Sequence, residues 1–138
     1  MEGECMITAS ILFHQGVATM FTIPIEGLLE PVLKVRVALE ELVRALEEVG
    51  ISFMIIKDSV LVCGNYVDAM RVGILMALLQ HLRKSEERKL AIKLVKYMSV
   101  MEATVWWSYL CRLYKEERLE GVERVVKAFA ILYGIEEG

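Results

Sequence analysis

The sequence predicts an α+β fold, a small antiparallel ββαββ sheet unit followed by a bundle of three or four C-terminal helices. Three patterns carry that prediction. Apolar residues alternate on both sides of His14-Gln15-Gly16, as strands joined by a turn do. Val32, Val35, Leu39, Leu42, Leu46 and Val49 recur at spacings of three and four, as on one face of a helix. Glu86 to about Glu117 runs without glycine or proline. The chain of 138 residues is read as one domain, with a sheet-containing half at 1–64 and a helical half at 65–138.

The elements follow in order. Ile7, Ala9, Ile11 and Phe13 share one side of a strand over 6–13, and Val17, Thr19, Phe21 and Ile23 share one side of a strand over 17–23. The first helix is expected to open near Pro31, because proline suits a first helical position. Its start competes with Leu33-Lys34-Val35-Arg36-Val37, which alternates like a strand. Glu40, Arg44 and Glu48 form four-spaced ion pairs on the polar face, and Gly50 ends the helix. Ile51 to Cys63 reads as a hairpin turning at Lys57-Asp58. Asn65 caps the next helix, with Asp68 in its first turn. That helix carries Ile74-Leu75-Met76-Ala77-Leu78-Leu79, apolar all round, and is expected to be the most buried element. Ser85 is a candidate cap for the following segment, which forms either one helix of about 48 Å or two helices broken near Ser99. Gly121 precedes a last helix bearing Val122, Val125, Val126 and Phe129, with Gly134 as its C-cap.

The apolar fraction is 56% and mean hydropathy is +0.46, above the roughly 45–50% apolar usual for globular domains. Either the chain enters a membrane or its surplus apolar surface meets a partner. The one uncharged stretch of spanning length, Cys5 to Ile25, is interrupted by the His14-Gln15-Gly16 turn and alternates, which argues against a spanning helix. Glu2 and Glu4 stand where a signal peptide would carry positive charge. Net charge is -3, divided between an acidic first half and a mildly basic second half. Cys5, Cys63 and Cys111 are widely spaced and odd in number, as in a reduced cytoplasmic protein with incidental cysteines. One Asn, two Gln and seventeen Glu give a balance like that of hyperthermophile proteins. In such organisms intracellular disulfides also occur.

Trp106 and Trp107 are adjacent, and neighbours on a helix point about 100° apart. On a helical wheel both flank Leu110, and with Ala103, Tyr114, Leu113, Val100 and Cys111 they span an apolar arc of roughly 160°. An arc that wide touches two neighbours. One is the chain's own core; the other is a second helix of the same chain or a partner subunit. Trp and Tyr favour interfaces, so Trp106, Trp107, Tyr109, Leu110, Leu113 and Tyr114 are the candidate contact residues.

Other chemistry is sparse. Cys63 runs into a helix start that would activate a thiolate, but no base is placed beside it; His14 reads as turn chemistry and His81 as a helix-end cation. The carboxylate pairs Glu40-Glu41, Glu47-Glu48, Glu86-Glu87 and Glu116-Glu117 read as solvated faces without metal-ligand company. No phosphate-binding glycine loop or nucleophile elbow is present. Arg83, Lys84, Arg88, Lys89, Lys93 and Lys96 oppose only Glu86 and Glu87, and Lys89, Lys93 and Lys96 form a ridge able to track phosphates. No aromatic lies among them before Tyr97, so base stacking is not indicated. The expectation is a non-enzymatic cytoplasmic assembly protein without cofactor or metal. It would be a homo-oligomer, or bind a protein partner, through its aromatic-rich helical surface. The alternative is a nucleic-acid-binding accessory subunit using the helix at 83–96, and a thiol enzyme using Cys63 ranks third.

Overall fold

The computed structural model describes residues 5–22, 30–82 and 84–116. Five strands and four helices follow in the order β1 (Ile7–His14), β2 (Val17–Thr22), β3 (Glu30–Arg36), α1 (Leu39–Val49), β4 (Phe53–Ile56), β5 (Ser59–Cys63), α2 (Tyr66–His81), α3 (Ser85–Lys96) and α4 (Val100–Glu116). The strands form one sheet in the order β3-β2-β1-β5-β4, and every neighbouring pair is antiparallel. The α+β class is as expected, but the sheet has a third strand where the sequence suggested the opening of the first helix.

That third strand corrects the expected ββαββ unit. Leu33, Val35 and Val37 are buried, while Lys34, Arg36 and Ala38 between them are exposed. Burial with a period of two wins over the spacing of three and four that links Val35 to Leu39. Pro31 sits in this edge strand, where a missing N–H breaks no ladder on the open side, and the β2–β3 register shifts beside it. The helix starts only at Leu39, after an extended Ala38, and keeps Leu42, Ala45, Leu46 and Val49 as its buried seam. Gly50 closes it at φ +86°, donating its N–H to Leu46 O.

Both hairpin turns fall where they were expected, at Gln15-Gly16 and Lys57-Asp58. Asn65 caps α2, its side chain accepting a 2.9 Å hydrogen bond from Asp68 N. Gly64 precedes it at φ +132°; a Cβ there would lie 2.6 Å from Asp68 Oδ2, so the turn into α2 is built for glycine. The long segment breaks into α3 and α4 at Tyr97–Ser99. Ser99 Oγ accepts from Glu102 N at the opening of α4. Ser85 is the first residue of α3 rather than its cap; Lys84 holds the cap position, with no side-chain cap bond. The helix expected after Gly121 lies outside the described residues.

The inward face of the sheet presents Ala9, Ile11, Ala18, Met20, Leu33, Val35, Val60 and Val62, all buried. Against it lies α2, where Ile74 to Leu79 are at most 1% exposed, so the helix is enclosed on every side. It touches β1, β3 and β5 on one side and α1, α3 and α4 on the others. Among the described residues, no helix is long and apolar enough to cross a membrane.

The cysteine reading needs correction. Cys5 and Cys63 form a disulfide with their Cα atoms 5.0 Å apart. The reason is topological: β1 lies beside β5, Ile7 faces Cys63, and Gly64 N donates to Met6 O. A cross-link spanning 58 residues stabilises the fold by about 4 kcal/mol in the chain-entropy account. Cys5→Ala is therefore expected to lower unfolding free energy by about 2–4 kcal/mol in urea titrations. Peptide mapping without reductant should recover a Cys5–Cys63 pair; three titrating thiols in the denatured, unreduced chain would contradict the bond.

Candidate interaction surfaces

The two tryptophans are accommodated within the chain. Trp106 is 2% exposed, on the same stripe as the buried Ala103 and Leu110. The Tyr109 ring meets Trp106 edge-on, with centroids 6.1 Å apart and planes at 82°. Trp107 points to a different neighbour. Its six-membered ring lies directly over Gly73 of α2, where an added Cβ would overlap Cζ3 and sit 2.8 Å from Cη2. The second side of the aromatic arc is thus met by a helix whose backbone is bared by glycine. Trp107, Tyr109 and Leu113 are partly buried against the core. The Tyr114 side chain lies outside the described residues.

The basic segment also divides. Lys84, Lys89, Lys93 and Lys96 are exposed along α3, and Lys96 Nζ lies 5.7 Å from the Tyr97 ring centroid. Arg83 lies outside the described residues. Arg88 turns inward: Nε donates to Leu82 O at 2.7 Å, Nη2 donates to Leu79 O at 3.2 Å, and Nη1 pairs with Glu41. It caps the carbonyl end of α2. Arg71 does the reciprocal task, donating to Val95 O at 3.0 and 3.2 Å and to Lys96 O at the end of α3, and pairing with Asp68. These two arginines lock α2 and α3 together by satisfying each other's terminal carbonyls.

Cys63 holds its sulfur in the disulfide, which removes the thiolate that nucleophilic chemistry needs. His14 ends β1 at the surface and His81 is the last residue of α2, half-buried. Glu40, Glu47, Glu48 and Glu86 are exposed, while Glu41 serves Arg88. Among the described residues, no three His, Cys, Asp or Glu side chains are grouped to hold a metal ion.

The exposed apolar surface lies elsewhere. Among the described residues, helices lie on one face of the sheet. On the opposite face, Leu12, Met54 and Ile56 are 46, 41 and 50% exposed, with half-buried Leu61 beside Met54. Ile55, on the helix side of β4, is 49% exposed because it lies at the rim of the helical cover. A second group, Tyr97, Val100, Met101 and Val105, lies at the α3–α4 corner. The sequence held a signal for the first group. Phe53-Met54-Ile55-Ile56 is apolar without alternation, and a strand covered on one face only must then expose half of it.

Gly73→Ala is expected to destabilise the protein by about 1–3 kcal/mol through overpacking, although alanine is the better helix former by about 1 kcal/mol. Adding Trp107→Leu should recover part of that loss in a double-mutant cycle read by urea unfolding. A stabilising Gly73→Ala on its own would contradict the Trp107 contact. No protein-family model matches this chain, and no curated protein or solved structure shows significant similarity to it.

Proposed function

We propose that this protein is a non-enzymatic assembly component that pairs with a second copy of itself through the free edge and open face of its sheet. The observation that carries the reading is the β4 edge, which no described strand pairs, beside a sheet face on which Leu12, Met54 and Ile56 are exposed. Cys63 N donates to Ser52 O at 2.9 Å, which makes Ser52 and Cys63 a hydrogen-bonded pair. By the alternation of an antiparallel ladder, Phe53 and Ile55 then turn their N–H and C=O groups away from β5, toward the edge. Among the described residues no strand lies beside that edge.

The two edges of the sheet differ in a way that favours this choice. Edge strands are usually blunted by proline or charge. β3 carries Pro31, a register shift, Lys34 and Arg36. β4 carries only Phe53, Met54, Ile55 and Ile56. An antiparallel strand is complementary to its own copy, so two β4 strands related by a two-fold axis pair isologously, with Ile55 opposite Ile55. The axis stands perpendicular to the sheet. Both helical layers then lie on one side, and the two patches of Leu12, Met54, Leu61 and Ile56 join on the other. Each main-chain bond adds about 0.5–1.5 kcal/mol, and further burial of each half-exposed Met54, Ile55 and Ile56 adds about 1 kcal/mol.

Light scattering at micromolar concentration should give a dimer for the native chain and a monomer for Ile55→Lys. Because Ile55 is half-exposed, its replacement should change monomer stability by no more than about 1 kcal/mol. A native chain that stays monomeric at millimolar concentration, or a dimer indifferent to Ile55→Lys, would overturn this reading.

A further inference from the structure

The second exposed apolar group sits at the corner where α3 gives way to α4. Tyr97, Val100, Met101 and Val105 are 68, 64, 78 and 60% exposed, so each stands out from the surface. Single exposed apolar residues are ordinary, but a group of them beside cations marks a contact. We infer that this corner is a docking surface for an anionic lipid bilayer. Tyr97, Val100, Met101 and Val105 enter the headgroup layer, and Lys93 and Lys96 meet the lipid phosphates.

The chain itself brings these groups together. Lys93 and Tyr97 are one turn apart at the end of α3, where Tyr97 N donates to Lys93 O at 3.1 Å. Lys96 Nζ lies 5.7 Å from the Tyr97 ring centroid. Tyr97 and Met101 are four residues apart, so their Cα atoms lie within about 14 Å of each other. Met101 and Val105 are again one turn apart, on the side of α4 opposite the buried Ala103, Trp106 and Leu110. The local charge is one-sided. From Lys89 to Val105 there are three lysines and one acid, in a chain whose net charge is -3. That acid, Glu102, accepts from Ser99 Oγ at 2.9 Å at the opening of α4, and neither Lys93 nor Lys96 enters an ion pair with a described residue.

A bilayer interface uses both halves of this surface. A nucleic-acid backbone would engage the lysines and leave Val100, Met101 and Val105 in water. An apolar protein patch would cover those three and leave the lysines without counter-charge. Anionic lipid supplies phosphates at its surface and hydrocarbon just below. Tyrosine suits that boundary, and a lysine stem lies along apolar surface while its ammonium reaches the headgroups. A fluid layer also closes around protruding side chains without needing a shaped pocket. Among the described residues no helix is long and apolar enough to cross a membrane, so the contact is peripheral. None of these residues belongs to β4, so docking does not depend on the pairing proposed above.

Co-sedimentation with vesicles tests the assignment, using phosphatidylcholine alone and an equal mixture of phosphatidylcholine and phosphatidylglycerol. The native chain should bind the mixed vesicles saturably and the neutral ones roughly tenfold more weakly. Lys93→Gln and Lys96→Gln should each weaken binding about fivefold, whereas Lys34→Gln, on β3, should leave it unchanged. The double variant Met101→Gln, Val105→Gln keeps the net charge and should weaken binding roughly tenfold. Both positions are exposed and glutamine is a good helix former, so melting curves without lipid should match the native chain; Val105→Thr is the second choice at that position. The inference is overturned by no binding to the mixed vesicles, or by binding indifferent to the Met101 and Val105 replacements. Oligonucleotide binding that depends on Lys93, with no vesicle binding, would overturn it in favour of nucleic acid. A native dimer that dissociates in the double variant, with no vesicle binding, would overturn it in favour of a second copy.

Discussion

The enclosure of α2 constrains everything else in this structure. A helix that is apolar on every side has to be covered on every side. The sheet supplies one wall through β1, β3 and β5, and α1, α3 and α4 supply the others. All the described helices are thereby drawn to one face of the sheet. Each of the six residues Ile74 to Leu79 is at most 1% exposed, and fully burying a large apolar side chain contributes about 1.5–3 kcal/mol. The same arrangement leaves the opposite face of the sheet without a helix among the described residues, and the surplus apolar composition surfaces there.

Polar groups reinforce the enclosure at its ends. Packing α3 against α2 leaves the last carbonyls of both helices facing protein rather than water. Arg88 reaches from α3 to Leu79 and Leu82, and Arg71 reaches from α2 to Val95 and Lys96. Hydrogen bonds from charged donors are worth about 1.5–3 kcal/mol each, so the exchange is substantial. Gly73 completes the packing on another side by letting the Trp107 ring reach the α2 backbone. The wide aromatic arc of α4 is therefore used to close around one helix, with Trp106 and Trp107 on different parts of its surface.

Much of this was legible in the sequence, and the misses have physical causes. The turns at Gln15-Gly16 and Lys57-Asp58, the Asn65 cap, the Gly50 stop and the all-round burial of Ile74 to Leu79 are local properties, and local chemistry announces them. The strand at Glu30–Arg36 was obscured because Val32, Val35 and Leu39 satisfy a helical spacing by coincidence, while Leu33, Val35 and Val37 satisfy a strand spacing by design of the core. The Cys5–Cys63 bond depends on β1 lying beside β5, and strand order is a long-range property that no local pattern encodes. The position of the exposed apolar surface depends on which face the helices choose. Composition could announce the surplus, but only the fold locates it at Leu12, Met54, Ile55 and Ile56. Arg88 likewise looks like any other base in Lys84–Lys96 until its carbonyl partners are brought to it.

Pairing through β4, as proposed, requires that its edge and the face beside it be covered in the assembled state. Amide hydrogen exchange at Phe53 and Ile55, followed from low to high protein concentration, tests that claim at its own atoms. Their N–H groups point away from β5, so in an isolated chain they exchange at close to the rate of exposed backbone. If two copies pair through β4, protection at both amides should rise together with concentration, while Met54 and Ile56, already bonded to β5, change little. Fast exchange at Phe53 and Ile55 at every concentration would contradict pairing through β4.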